Sequence, residues 1–304
     1  MDKELIICAA TGYNFKQVEP FLKSLYKTNY TGDVVLLVNN YSLLKDLKSN
    51  NYHNVKLEIV QKFLNFIPKN LQKYRFSRKF SFITKCFPQV LNLLPTLLNN
   101  FFTITFNQFF HHIALSRYAY FHKIIKSNPK YNKIFFSDVR DVIFQDNPFN
   151  FLWDNNLYFA LEDDSATLEA NNRMWLEDLY TSKIFNKIGT KNVICSGTTF
   201  GNREELITYC LEMCKEQLKF IYKIAYFDGY DQGIHNYLIY SNKFKNYTLF
   251  KNFESPILSM HNISKNKLSL NKEGLFINKD GSVVNVLHQY DRFTEIAEHL
   301  LNKI

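Results

Sequence analysis

The N-terminal segment is the part of the sequence that most constrains the fold. The stretch ELIICAATGYN has the pattern of a buried strand, Leu5 to Ala9, which ends in small residues and Gly12. The next segment, NFKQVEPFLKSLYKT, carries apolar residues at helical spacing, and GDVVLLVNN is a second apolar run closed by polar residues. A strand, a small-residue loop, a helix and a second strand are typical of an α/β fold with a parallel sheet.

The loop after the first strand is a candidate for contacting a nucleotide. Parallel sheets bind their ligands outside the carboxyl ends of the strands. The loop consists of Ala9, Ala10, Thr11, Gly12 and Tyr13. A plain tight turn explains a single glycine equally well, so both interpretations stay open here.

The stretch KIFFSDVRDVIFQDNPF, residues 133–149, places carboxylates directly after an apolar strand. Two carboxylates a few residues apart, such as Asp138 and Asp141, can share one divalent cation at the ligand edge of a sheet. Hard oxygen ligands in an open site suit Mn²⁺ or Mg²⁺. The alternative is structural: Asp138 caps a turn and Asp141 pairs with Arg140.

Three later segments also bring polar side chains to the ends of apolar runs. LYFALEDD is an apolar strand that ends in Glu162, Asp163 and Asp164, and GYDQGIHNYLIYS begins a helix with Asp231 in its first turn. GSVVNVLHQYDRF is a strand that delivers His288. Its place after a late apolar strand makes that histidine a better metal-ligand candidate than the histidines at positions 111, 112 and 261.

In its order of motifs the sequence resembles the A-type glycosyltransferases. FFSDVRDVIFQDNPF is similar to their metal-binding segment, and RYAYFHKII, CSGTTFGN and DQGIHNYL agree with that family in order. HQYDR matches the late histidine of the retaining, glycogenin-like and galactosyltransferase-like branch. The resemblance covers residues 114–293 and the N-terminal β-α-β unit, but not residues 62–112. It implies a single Rossmann-like nucleotide-diphospho-sugar transferase domain over residues 1–304, with 62–112 as a basic and aromatic helical insertion.

The resemblance also implies how the metal is held. Arg140 stands where a strict Asp-x-Asp motif has its second acid, and aligning the downstream VIFQ makes Asp141 the direct ligand. His288 would complete the site. Asp138 remains a candidate ligand, with a ribose hydroxyl or a metal-bound water as its other expected partner.

By the same resemblance, four further positions would contact the donor. Asp231 and Gln232 would act at the sugar, whose oxocarbenium-like transition state carboxylates and amides can stabilise. Ser196 and Gly197 would let the sugar approach the backbone closely. Arg117 either adds positive charge at the diphosphate or forms a surface ion pair, and the sequence favours neither.

The function implied is a metal-dependent transfer of a sugar from a nucleotide diphosphate donor, a UDP-sugar, to a glycan or lipid-linked acceptor. Retention of the anomeric configuration is implied by DQG and HQYDR. An inverting enzyme would need a base, for which Asp163 or Asp164 is the candidate. The alternative is a non-catalytic carbohydrate-binding or membrane-peripheral protein on the same fold.

The charge distribution predicts an anionic partner. The formal net charge is +9, and no acidic residue occurs between Glu58 and Asp138. The insertion 62–112 is expected to be a helical subdomain on the core, a basic and aromatic surface for anionic lipid, or both. No nucleic-acid-binding module accompanies the charge, so nucleic acid is not an expected partner.

The expected location is the cytoplasm, with the inner face of the membrane as a candidate site of action. The five cysteines lack zinc-binding spacing and are expected to be reduced and buried. The N-terminal apolar run is too short for a signal peptide.

Overall fold

The computed structural model of the chain describes residues 3–60, 89–110, 112–154, 156–220 and 229–304. In that part of the chain a seven-stranded sheet lies beside a three-stranded one. The strands, numbered along the chain, are β1 Lys3–Ala9, β2 Asp33–Val38, β3 Val55–Ile59, β4 Tyr131–Ser137, β5 Val142–Phe144, β6 Leu157–Leu161, β7 Ile194–Asn202, β8 Tyr247–Phe250, β9 Ile257–Ser259 and β10 Val286–His288.

The larger sheet is mostly parallel, with the strand order β3-β2-β1-β4-β7-β6-β8. Only β7 runs against its neighbours β4 and β6 among these strands. The smaller sheet has the order β5-β10-β9. The prediction of an α/β fold with a parallel sheet is therefore confirmed, and the architecture is compatible with a Rossmann-like fold.

The helices are also numbered along the chain. They are α1 Phe15–Lys27, α2 Leu44–Ser49, α3 Thr96–Phe110, α4 Ile113–Ser127, α5 Leu168–Asn171, α6 Arg173–Leu179, α7 Ser182–Ile188, α8 Arg203–Lys219, α9 Tyr230–Tyr240 and α10 Thr294–Lys303. In the described part of the chain, no helix combines the length and the apolar character needed to cross a membrane.

Helix α1 shows how local sequence fixes an element. Asn14 caps it: the Asn14 side chain accepts from the Gln17 backbone N–H, and the Gln17 side chain accepts from the Asn14 N–H. Val18, Phe21, Leu22 and Leu25 follow at helical spacing and are buried against the sheet. The capping box starts the helix directly after the loop that follows β1.

Both faces of the larger sheet are covered, which explains the continuous apolar runs of its strands. Phe135 and Phe136 are neighbours on β4 and point to opposite faces. The Phe135 ring stacks on Phe200 with 3.9 Å between centroids. The Phe136 ring meets Phe121 of α4 at 4.5 Å on the other face. The core thus has two halves, one under α1 and one under α4 and α8.

Strand register brings four segments to one edge of the sheet. Cys8 of β1 lies beside Ser137 of β4 in parallel register, so the loops after both strands emerge together. The antiparallel β7 enters at the same edge, where the Asp138 N–H donates to the Gly197 carbonyl at 2.8 Å. In the smaller sheet His288 pairs with Val142. This pairing places the late histidine beside the carboxylates that follow β4.

The predicted insertion 62–112 is described only in part. Helix α3 occupies residues 96–110 and packs on α4 and α8. Residues 61–88, which carry most of the basic residues of this insertion, lie outside the described part of the chain.

Candidate metal centre and adjoining cleft

Three side chains that can bind a metal ion converge at this edge of the sheet. Asp138, Asp141 and His288 each offer a ligand atom, and the three atoms lie within 4.8 Å of one another. The Nε2 atom of His288 is 3.7 Å from an Asp138 oxygen and 3.9 Å from an Asp141 oxygen. The structure thus brings together the three residues that the sequence predicted as metal ligands.

The imidazole of His288 is oriented as a ligand would be. The side chain is 1% exposed, and its Nε2 is buried without a hydrogen-bond partner in the described part of the chain. A buried polar atom without a partner is costly, and a cation between the ring and the carboxylates would remove that cost. Two carboxylates and an imidazole form a donor set that fits Mn²⁺ well and Mg²⁺ less closely, because Mg²⁺ prefers oxygen ligands.

Gly197 leaves the space in which the three ligands meet. A Cβ atom at this position would lie 2.5 Å from Asp138 Oδ2 and 2.9 Å from His288 Nε2. Any other residue would push the carboxylate or the ring away. The sequence predicted that Gly197 makes room for a sugar, and the structure gives it a second, steric role under the metal ligands.

The pKa values of the two aspartates respond to the same surroundings in opposite directions. Burial alone would raise the pKa of Asp138, but the nearby imidazole of His288 and the charge of Arg117 lower it below its usual value. Burial raises the pKa of Asp141, the charge of His288 opposes this, and the charge of Asp138 adds to it. A divalent cation would favour the ionised form of both carboxylates.

Arg117 of α4 forms a buried bridge behind the metal centre. Its guanidinium donates to Asp138 Oδ1 and to Asp231 Oδ2, each at 2.8 Å, and to the Ser196 carbonyl at 3.1 Å. The Arg117 side chain is only 10% exposed. Of the two interpretations left open by the sequence, a surface ion pair is therefore excluded. Arg117 instead links the metal-ligand candidate Asp138 to Asp231.

Arg140, which displaces the second acid of the motif, lines the cleft and pairs with Asp291. Its guanidinium lies 3.3 Å from the Asp291 carboxylate, and its side chain is 47% exposed. The alternative in which it pairs with Asp141 is not the pairing found. Arg140 therefore fastens the metal-ligand loop to the short 3₁₀ turn Tyr290–Arg292.

A cleft of about 500 Å³ opens beside the metal centre. The predicted residues that line it are Ala9, Thr11, Tyr13, Arg117, Asp138, Asp141, Ser196, Asp231 and Gln232. Ala10 is buried below the loop, where its N–H donates to the Leu37 carbonyl at 2.8 Å. Gly12 has φ +84°, a conformation that favours glycine, so the tight-turn interpretation holds for it.

A hydrogen-bonded network joins four of the residues that line the cleft. The Ser196 N–H and hydroxyl donate to Gln232 Oε1 at 3.2 and 3.3 Å. The Ser196 hydroxyl also lies 3.4 Å from Asp231 Oδ2, and Gln232 Nε2 donates to Glu162 at 3.3 Å. Burial raises the pKa of Asp231, and the charge of Arg117 opposes that shift. These groups are fixed before any ligand binds.

The acids after β6 are divided between two cavities. Asp163 accepts from Lys267 at 2.8 Å and from the Ser165 hydroxyl at 2.6 Å, and with Asp164 it lines a separate cavity of about 310 Å³. The residue of this run that lines the cleft is Glu162. The structure therefore does not place the two predicted base candidates in the cleft.

Glu162 was missed because strand periodicity alone does not say which face meets the ligand. Its side chain is 2% exposed, and burial raises its pKa to about 7, with the Gln232 hydrogen bond opposing the shift. His112, Trp175, His261 and Arg292 also line the cleft, and Cys195 contacts His288. These residues come from separate segments and carry no common sequence signal.

No model of a known protein family matches the chain. A search of curated proteins also found no match to its sequence.

Proposed function

We propose that the protein is a metal-dependent glycosyltransferase that moves a sugar from a nucleotide diphosphate donor, a UDP-sugar, to a glycan or lipid-linked acceptor. One observation carries the proposal: Asp138, Asp141 and His288 converge at the ligand edge of a mostly parallel sheet, beside a cleft of about 500 Å³. The resemblance of the surrounding motifs to A-type glycosyltransferases gives this centre its chemical interpretation.

The metal ligands define where the diphosphate would bind. Asp138, Asp141 and His288 would hold Mn²⁺ or Mg²⁺, whose chemistry when bound is to act as a Lewis acid toward the diphosphate leaving group. Arg140 and Arg292 line the same cleft and add positive charge for an anionic ligand. The leaving group would thus meet cationic groups on more than one side.

The nucleotide and the sugar would occupy opposite ends of the cleft. Ala9 ends β1, Thr11 and Tyr13 follow it, and all three line the side expected for the nucleoside. Asp231 and Gln232 line the other side, where their fixed oxygens and amide would bind sugar hydroxyls. Arg117 holds Asp231 in position and keeps its charge compensated.

The stereochemical course depends on whether a base acts on the acceptor hydroxyl. Retention is implied by the motif resemblance. If the enzyme inverts, Glu162 is the carboxylate placed for the task, because it faces the cleft and its pKa of about 7 suits a general base. An anomer-resolved NMR spectrum of the product distinguishes the two courses.

The acceptor side of the proposal includes a membrane surface. Leu97 and Phe101 of α3 are 83% and 62% exposed. They line an apolar groove with Lys123 and Lys126 of α4. An apolar face beside basic residues suits an anionic bilayer that carries a lipid-linked acceptor, at the cytoplasmic side of the membrane.

The test is a thermal-shift screen of nucleotide sugars with and without Mn²⁺, since a ligand that binds only the folded state raises its stability. Asp141→Ala is expected to lose the Mn²⁺-dependent part of the shift. Asp280→Ala, which changes an exposed carboxylate in a turn, is expected to keep it.

Turnover separates an enzyme from a binding protein. Donor hydrolysis or transfer in the presence of Mn²⁺ supports the proposal. Nucleotide-sugar binding without turnover would favour the non-catalytic alternative, and absence of both binding and turnover would refute the proposed function.

A further inference from the structure

Cys195 contacts the metal-ligand candidate His288 from the side opposite the cation position. Its thiol is buried in β7, and Sγ lies 3.4 Å from His288 Nδ1. The backbone N–H of Gly197 also points at the sulfur, at 3.4 Å. The sulfur therefore lies between the imidazole and the strand segment that leaves space for the ligands.

The neutral imidazole of His288 has two tautomers, and only one can bind a cation at this centre. With the proton on Nε2, the ring would present an N–H to the centre. The carboxylates there, at 3.7 and 3.9 Å, are beyond hydrogen-bond distance. A buried donor would then lack a partner. With the proton on Nδ1, the N–H has the sulfur as acceptor, and the Nε2 lone pair faces the carboxylates.

The contact from Gly197 supports the second arrangement. Its N–H donates to the sulfur, so the thiol already acts as a hydrogen-bond acceptor in this position. The His288 side chain is 1% exposed, so bulk water does not reach Nδ1 to accept a hydrogen bond in place of the sulfur. The sulfur is the only acceptor recorded for this nitrogen in the described part of the chain.

We propose that Cys195 is a positioning residue of the metal centre. Its sulfur accepts a hydrogen bond from the Nδ1–H of His288, and this contact favours the tautomer whose Nε2 lone pair faces the cation. The inference rests on the proposed function, because it concerns a residue that contacts a ligand of the same metal centre. Groups that orient a metal-binding histidine in this way typically change metal affinity by roughly 10- to 100-fold.

The experiment compares Cys195→Ala, which removes the acceptor, with Cys195→Ser, which retains one. Cys210→Ala is the matched control, because Cys210 is a similarly buried thiol of α8 that belongs to the apolar core and is not a ligand of the metal centre. Mn²⁺ affinity is measured by calorimetry, and folding is checked by thermal unfolding. We expect Cys195→Ala to bind Mn²⁺ roughly 10- to 100-fold more weakly, Cys195→Ser to bind more tightly than Cys195→Ala, and the control to match wild type.

A second measurement reads the tautomer directly and requires no variant of Cys195. In ¹⁵N-histidine-labelled wild type, the His288 resonances are assigned by their loss in His288→Gln. Spectra are recorded at a pH where the ring is neutral and again with diamagnetic Mg²⁺. The expected result is a proton on Nδ1 in both cases.

The outcomes separate this inference from the proposed function. A wild-type protein that binds no cation refutes the metal-dependent function, while the tautomer in the ion-free protein still decides the role of Cys195. A proton on Nε2 in wild type overturns the inference. Wild-type Mn²⁺ affinity in a folded Cys195→Ala protein overturns it as well.

Discussion

Replacing Gly197 by alanine tests the geometry of the metal centre most directly. The new Cβ would lie 2.5 Å from Asp138 Oδ2 and 2.8 Å from His288 Cε1, against about 3.4 Å for an ordinary contact. Both contacts are too short, so the carboxylate and the ring must both give way. The Asp138 side chain is 37% exposed and His288 is 1% exposed, so the carboxylate can move more easily than the ring.

Both folding stability and metal binding are expected to be weakened. An overpacked residue typically costs about 1 to 3 kcal/mol of folding stability. Because turning Asp138 toward solvent breaks its hydrogen bond from Arg117, and the buried His288 ring has little room to move, we expect a loss at the high end, about 3 kcal/mol. Withdrawing one of three ligands should weaken Mn²⁺ binding at least as much as disturbing an outer contact does, by roughly 100-fold.

Gly201→Ala provides the matched control, because this glycine lies on the same strand. Its added Cβ would meet the buried side chains of Leu157 and Leu206 at 2.9 Å, away from the metal centre. We expect this variant to lose folding stability in urea titrations as well, but to bind Mn²⁺ like wild type in calorimetry. A Gly197→Ala protein with wild-type Mn²⁺ affinity would show that the cation does not bind between Asp138 and His288.

Three further predictions concern charge and exposure. Arg117→Met leaves Asp138 and Asp231 without the guanidinium that both contact, so we expect the free energy of unfolding to fall by about 3 kcal/mol near pH 7. The loss should be smaller near about pH 4, where carboxylates take up protons. Equal losses in urea unfolding at both pH values would contradict this. Burial raises the pKa of Glu162 from 4.5 to about 7, so the folded state holds a proton that the unfolded state has released. Wild-type stability should therefore fall relative to Glu162→Gln as the pH rises through this range, by roughly 3 kcal/mol in all, and parallel stability curves would refute the assignment. The double variant Leu97→Asp, Phe101→Asp should co-sediment less with anionic vesicles, and added salt should reduce wild-type binding. The control Leu152→Asp, at a position that is 86% exposed elsewhere on the protein, should co-sediment like wild type. Unchanged binding of the double variant would exclude α3 as the membrane surface.

The strands and helices that follow from local periodicity were predictable. The pattern Leu5 to Ala9 became β1, which spans Lys3–Ala9, and the helical spacing in NFKQVEPFLKSLYKT became α1. The metal-ligand trio was also predictable, because Asp138 and Asp141 closely follow the apolar strand β4 and His288 ends a late apolar strand and matches the histidine implied by the motif resemblance. Parallel sheets gather such ends at one edge.

The contacts between distant segments were not predictable in the same way. Nothing near Arg117 in the sequence indicates that its guanidinium will bridge Asp138 and Asp231. The proximity of Cys195 to His288 depends on the antiparallel entry of β7 and on the pairing of β10 with β5. These contacts depend on topology, which a single sequence specifies only through the complete fold.

The pairing of β10 with β5 has a consequence for how the protein is assembled during synthesis. The strands β1, β2 and β4 can associate early, but His288 reaches the carboxylates only after β10 has paired with β5 and the Gln289 N–H has bonded to the Asp141 carbonyl at 2.7 Å. A cation held by all three ligands would thus stabilise only chains whose late segment has docked. The ion would not stabilise a ribosome-bound chain that still lacks this segment. It would also not stabilise a chain that has been cut between β5 and β10 and has lost the segment. Metal binding would therefore contribute to stability only at a late stage of folding.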